Sequence, residues 1–212
     1  MNTALWYLQI TWDYVRQMLP CATLGAVGFF CLRPCRKKRL AVRGLMSGAG
    51  REGAILFFVL FTTGLFALTL FPANFWGHTQ LHWPELSIGT FYTKVTILEE
   101  LQEGGAWPLF MLLGNIIMFA PFGFFPALVG DRPRWWKALL TGFCVSSFIE
   151  FVQLFIGRSS DINDIILNTL GALCGFWVYL LLKHLAPRFV SKFKLQRTEV
   201  PNGREAGNKT AL

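Results

Sequence analysis

The stretch CVSSFIEFVQLFIGRSSDINDIILNTLGALCGFWVYLLL, residues 144–182, decides what kind of protein this is. It takes in most of the apolar run Ala138–Gly157 and all of Ile165–Leu182, each close to the ~20 residues that cross a ~30 Å hydrocarbon layer as a helix, joined by the short turn Gly157-Arg158-Ser159-Ser160. The first run carries one charge, Glu150. An acid near the centre of a membrane helix costs roughly 2.5 to 3.5 kcal/mol on insertion scales, so it has to face protein or water. Ser146 and Gln153 fall on its face of the helix. Beyond the turn, Asp161, Asp164 and Asn168 are spaced at three and four and share a face, which Gly171 and Gly175 continue as a small-x3-small packing stripe.

Outward from this pair, three more stretches lack Asp, Glu, Lys and Arg: Gln17–Leu32, Gly53–Pro84 and Gly104–Gly130. The reading is an all-α, polytopic transmembrane bundle of five spans. Gln17–Leu32 is the shortest, and Leu5 to Trp12 extend it with interfacial aromatics. A cleaved signal peptide is disfavoured, because the cluster Arg33, Arg36, Lys37, Lys38, Arg39 follows the apolar run and does not precede it. Composition agrees. The 212 residues are 53% apolar, and counting glycine raises the share to about 62%, against roughly 45 to 50% in soluble domains.

Seventeen of the 20 lysines and arginines lie in Arg33–Glu52, Asp131–Lys137 and Lys183–Leu212; Arg16, Lys94 and Arg158 lie on the other side. Basic loops stay cytoplasmic, which predicts the amino terminus outside and the carboxyl terminus inside. The +8 balance therefore sits beside membrane ends and points to anionic lipid, not to nucleic acid. Residues 1–184 read as the transmembrane domain and 185–212 as a basic cytoplasmic tail, disordered beyond its first turns. Gly44–Gly53 reads as a flexible connector, and the aromatic-rich stretch Asn74–Gly105 as a loop along the membrane surface.

Metal and redox readings are weak. Cys31 and Cys35 lack a partner pair, and His78 and His82 lack a third ligand at a standard offset. No cofactor and no metal is expected. In Gly104–Gly130, Asn115 lies nine residues in from Ala106, and Pro121 with Gly123 is expected to interrupt the helix and turn carbonyls toward a cavity. Asn115, Glu150, Gln153, Arg158, Asp161, Asp164 and Asn168 are thus candidates for one polar pocket opening outward, with Pro121, Gly123, Gly171 and Gly175 shaping it. Each has a plainer reading: Asp161 or Ser160 as a helix cap, Asn115 and Gln153 as interhelical hydrogen bonds, Arg158 as an interfacial side chain. A pairing of Arg158 with Glu150 requires the turn to fold back. Only Glu150, two turns inside, lacks an obvious plain role.

The run Asn115-x5-Pro121-Phe122-Gly123, then Glu150-Phe-Val-Gln153, Arg158-Ser-Ser-Asp161-Ile-Asn-Asp164 and Asn168-Thr-Leu-Gly171-Ala resembles the VanZ-like membrane proteins, named after an accessory protein that lowers susceptibility to teicoplanin. The resemblance covers Gly114–Leu182 firmly and the second span loosely, and it marks residues 106–182 as the family core. The family often has an acid where Asn163 stands. The resemblance implies a multi-pass protein of the bacterial cell membrane, without supplying a mechanism. Three functions compete. The first is non-enzymatic binding of a cell-envelope lipid or a polyprenyl- or lipid-linked precursor headgroup, altering access of lipoglycopeptides. The second is a lipid transporter with Glu150 as a proton-linked acid, for which inverted repeats are missing. The third is a membrane-embedded hydrolase or transferase using the acids, for which Ser159 and Ser160 lack an activating partner.

Overall fold

The computed structural model describes residues 3–71, 88–97, 99, 102 and 106–197. Its elements run α1 (Thr3–Val42), β1 (Leu45–Ser47), α2 (Ala49–Leu70), β2 (Phe91–Tyr92), α3 (Ala106–Val129), α4 (Trp135–Phe155), β3 (Ser160–Asp161), α5 (Ile162–Leu185), α6 (Pro187–Ser191) and β4 (Leu195–Arg197). Among the described residues, five helices are long and apolar enough to cross a membrane: Trp12–Val42, Ala49–Leu70, Leu112–Val129, Trp135–Phe155 and Ile162–Leu185. The chain is an all-α membrane bundle. His78, His82 and residues 72–87 of the long loop lie outside the described residues.

The helix ends differ from the apolar runs for local reasons. α1 continues through its basic cluster to Val42, because Lys and Arg are good helix formers wherever their side chains reach water. α2 stops at Leu70, and Phe71 is extended (φ −104°, ψ 144°). Pro72 follows it, and the residue before a proline is pushed out of the α region. The expected break at Pro121 is absent: α3 is continuous from Ala106 to Val129 with Pro121 and Pro126 inside it. Each proline withdraws a single ladder N–H, a loss that packed membrane helices tolerate.

What Gly123 supplies is proximity. A Cβ there would fall inside the Ala172 carbonyl; one at Gly171 would meet the Ile116 backbone, and one at Gly175 the Ala120 backbone. α3 and α5 are therefore in backbone contact along three turns. α4 closes on the same pair, with Gly142 against Ala172 and Thr169. Phe119, Phe122, Ile149, Ala172 and Leu65 are buried where α2 to α5 meet. Phe58 of α2 stacks on Phe125 and meets Phe122 edge-on, which ties α2 to α3. α1 packs on α2 through Gly25 against Thr63 and Gly64 against Met18.

The basic end of the bundle is more ordered than the sequence suggests. Residues 45–47, expected to be a flexible connector, pair antiparallel with residues 195–197, and residues 187–191 of the expected tail are helical. Buried Glu52 accepts from Arg33, Arg36 and Ser47. Lys194 Nζ donates to the Ala127 and Gly130 carbonyls at 2.9 and 2.6 Å, and Arg51 Nε donates to the Val129 carbonyl. Cations thus satisfy the orphan carbonyls at the end of α3 and complement its negative pole. Burial lowers the pKa of Lys194 from the usual lysine range, while neighbouring Asp131 acts in the opposite direction.

The α3–α5 contact makes a prediction. Gly175→Val should abolish a monodisperse peak in size-exclusion chromatography, or lower the midpoint of thermal unfolding by ten degrees or more, because overpacking against backbone costs roughly 1 to 3 kcal/mol or above. Gly28→Ala in α1, where nothing lies within 4 Å of the added carbon, should leave both unchanged.

Candidate functional site at the turn between the last two spans

α4 ends in a glycine turn. Gly157 has φ +73°, and the Arg158 N–H donates back to the Gln153 carbonyl at 3.0 Å, closing the helix with a Schellman bond. Three residues on, Asp161 caps α5: it is extended (φ −133°) and its carboxylate accepts the Asn163 N–H at 2.9 Å. Between these two events, Ser160 and Asp161 form a parallel pair with Phe91 and Tyr92, and the Ser160 N–H donates to the Thr90 carbonyl.

Glu150 organises this turn from α4. Its backbone carbonyl accepts the Ser160 hydroxyl at 2.6 Å, and its Oε2 accepts the Asp161 N–H at 3.0 Å. The residue is 4% exposed and Ser160 is fully buried. Among the described residues, the charged groups that act on Glu150 are Asp164 and Asp161, both acidic. Among the described residues no Lys, Arg or His forms an ion pair with it. By α-helical rise, Glu150 lies five residues, about 8 Å, from the end of its helix.

The other candidates divide around it. Asn115 of α3 donates to Asp164 at 2.6 Å. One turn deeper than Glu150, Asn168 donates to Ser146 at 2.9 Å, and its buried Oδ1 has no hydrogen-bond partner among the described residues. Gln153 and Arg158 do something else. Both donate to the Thr69 carbonyl in the last turn of α2, at 3.1 and 2.9 Å. Arg158 therefore does not pair with Glu150: the Schellman turn sends its side chain toward α2. Gln17 of α1 treats the same helix end alike, donating to the Ala67 and Phe71 carbonyls. The carbonyls that α2 leaves open at its end are thus closed by side chains from α1 and from the α4 end. The seven residues form two clusters: Asn115, Glu150, Asp161, Asp164 and Asn168 between α3, α4 and α5, and Gln153 with Arg158 against α2.

Asn163 and Ser146 join the first cluster without having stood among the candidates. Asn163 donates through Nδ2 to the Lys94 carbonyl and the Thr96 hydroxyl, and its Oδ1 accepts the Thr96 N–H. It fastens residues 94–96 to the start of α5. An asparagine two residues into an Asp-capped helix is a turn-chemistry signal that points here. Thr69 acts through a backbone carbonyl, for which no residue-type signal exists.

The profile of a family described as VanZ/LLP1 matches residues 58–183, more than half of the 212-residue chain. The match takes in all of this site and the second half of α2. No curated protein and no solved structure matches the chain.

Asn163→Ala should release residues 94–96. Hydrogen exchange at the Thr96 amide should rise by at least tenfold, since losing a buried partner costs roughly 1 to 3 kcal/mol, with exchange in the glycine-packed part of α5 unchanged.

Proposed function

The chain belongs to the VanZ/LLP1 family, and on that premise we propose that it is a non-enzymatic membrane protein that binds the headgroup of a cell-envelope lipid or lipid-linked precursor at Glu150 and Asp164. Binding there withholds the interface from a membrane-anchoring lipoglycopeptide such as teicoplanin. The observation that carries this reading is the buried Glu150 carboxyl with acidic neighbours and no cationic partner among the described residues. A carboxyl group so placed is costly unless something supplies a proton or a positive or hydroxyl-rich group. An amine or sugar headgroup meets that demand; a bare phosphate is repelled by it.

The charge pattern supports the same reading: the turn lies at the opposite end of the bundle from the basic segments, which under the charge rule agrees with an outward-facing site where lipoglycopeptides meet lipid. A hydrolase or transferase reading has less to rest on, because the Ser160 hydroxyl is committed to the Glu150 carbonyl.

The test uses Glu150→Gln and Asp164→Asn, substitutions that keep the hydrogen-bonding shape and remove the charge. Expressed in a teicoplanin-susceptible host, the wild type should raise the minimal inhibitory concentration at least fourfold, and each variant should return it to the vector level. A glycopeptide without an acyl tail should show a smaller wild-type effect. Copurified phosphatidylethanolamine, measured by native mass spectrometry, should fall in parallel. Unchanged susceptibility together with unchanged lipid content in both variants would sink the proposal.

A further inference from the structure

At the other end of the bundle a cavity of about 120 Å³ opens between the end of α3 and the start of α4, with Phe176 of α5 among its lining residues. Its rim carries Arg132, Arg134 and Lys137 against a single acid, Asp131. None of the three cations forms an ion pair with an acidic side chain among the described residues; Lys137 lies over the Trp136 ring, 5.7 Å from its centroid. Glu52, the buried acid of this end, is already held by Arg33 and Arg36.

The surroundings remove what would repel an anion. The α3 carbonyls that end beside the cavity would present negative charge, but Lys194 and Arg51 cover those of Ala127, Val129 and Gly130. On the opposite wall α4 begins at Trp135 behind Arg134 as N-cap, with no side-chain cap hydrogen bond and no acid in its first turn. The space holds only a few water-sized groups, so it admits a phosphate and not the rest of a lipid. Next to it Trp135 and Trp136 are 57% and 43% exposed, and below them Leu140 and Phe143 are 51% and 50% exposed. An aromatic pair above an apolar helix face is the surface on which a glycerol backbone and acyl chains lie.

We propose that this cavity binds the phosphate of an anionic glycerophospholipid, with Arg132, Arg134 and Lys137 around the phosphate and the acyl chains along the exposed face of α4. The site is separate from the Glu150 cluster and selects the opposite charge. It fixes one lipid at the seam where α3 passes to α4, and so holds the α3–α5 pair against α4 at its basic end.

Native mass spectrometry of the full chain, released from nanodiscs of equal phosphatidylglycerol and phosphatidylcholine, tests this. Wild type should retain phosphatidylglycerol over phosphatidylcholine by at least tenfold. The double variant Arg134→Gln/Lys137→Gln should lose most of that preference, at about fivefold per cation removed. Lys38→Gln/Arg39→Gln, an equal charge loss at the same end but away from the cavity, should keep it. Equal retention of the two lipids by wild type, or equal losses in both double variants, would overturn the proposal. So would displacement of phosphatidylglycerol by millimolar inorganic phosphate, which would make the cavity a free-phosphate site. Teicoplanin susceptibility is read separately, so failure here leaves the Glu150 reading standing.

Discussion

Backbone-to-backbone contact between α3 and α5 sets the geometry of everything around it. Inside a bilayer the lipid tails are as apolar as leucine, so helices gain little from hiding oily side chains from one another and associate where close approach multiplies dispersion contacts. Gly123, Gly171 and Gly175 permit that approach, each with a neighbouring backbone where its side chain would be. The crossing places Asn115 beside Asp164, about two turns on the open side of Gly123 and Gly171, and brings Asn168 to the face where Ser146 of α4 meets it. Asn168 and Ser146 are buried there in protein, and Asn115 and Asp164 partly so.

A second constraint is that each helix end inside the membrane must find partners for its open carbonyls. α2 ends beside the α4–α5 turn, and Gln17, Gln153 and Arg158 close it. α3 ends at the basic face, and Arg51 and Lys194 close it. Once these residues are assigned to helix ends, the acids left over are few, and Glu150 stands out among them because its structural duty, holding the Asp161 N–H, asks for an acceptor and not for a charge. A glutamine would do that work. A carboxyl group is more than that duty needs.

Five spans, the inward-facing acid and the glycine stripe were legible in the chain because each is a local pattern: a run without charge, a lone Glu150, small residues four apart. Local pattern also misled. Pro121 reads as a break, yet one missing N–H does not stop a helix that is packed on several sides. The connector at residues 44–53 reads as flexible because it is glycine-rich, but its strand partner lies about 150 residues away and carries no signature. The same distance problem hid the anchoring of residues 94–96 by Asn163. Thr69 was invisible for a different reason: its part is played by a main-chain oxygen, which every residue has. Of the candidate site, the identities of the acids could be read, but not the division of the seven polar residues into two groups with separate duties.

The β1–β4 ribbon carries a consequence for biogenesis. Its first strand leaves the ribosome early, right after α1, whereas its mate is delivered only when all five spans have been handed to the bilayer. Until then Leu45–Ser47 has no mate, and Lys194 has not arrived to cover the end of α3. A chain that stops between Leu185 and Lys194 therefore has every span but lacks both fastenings at this seam.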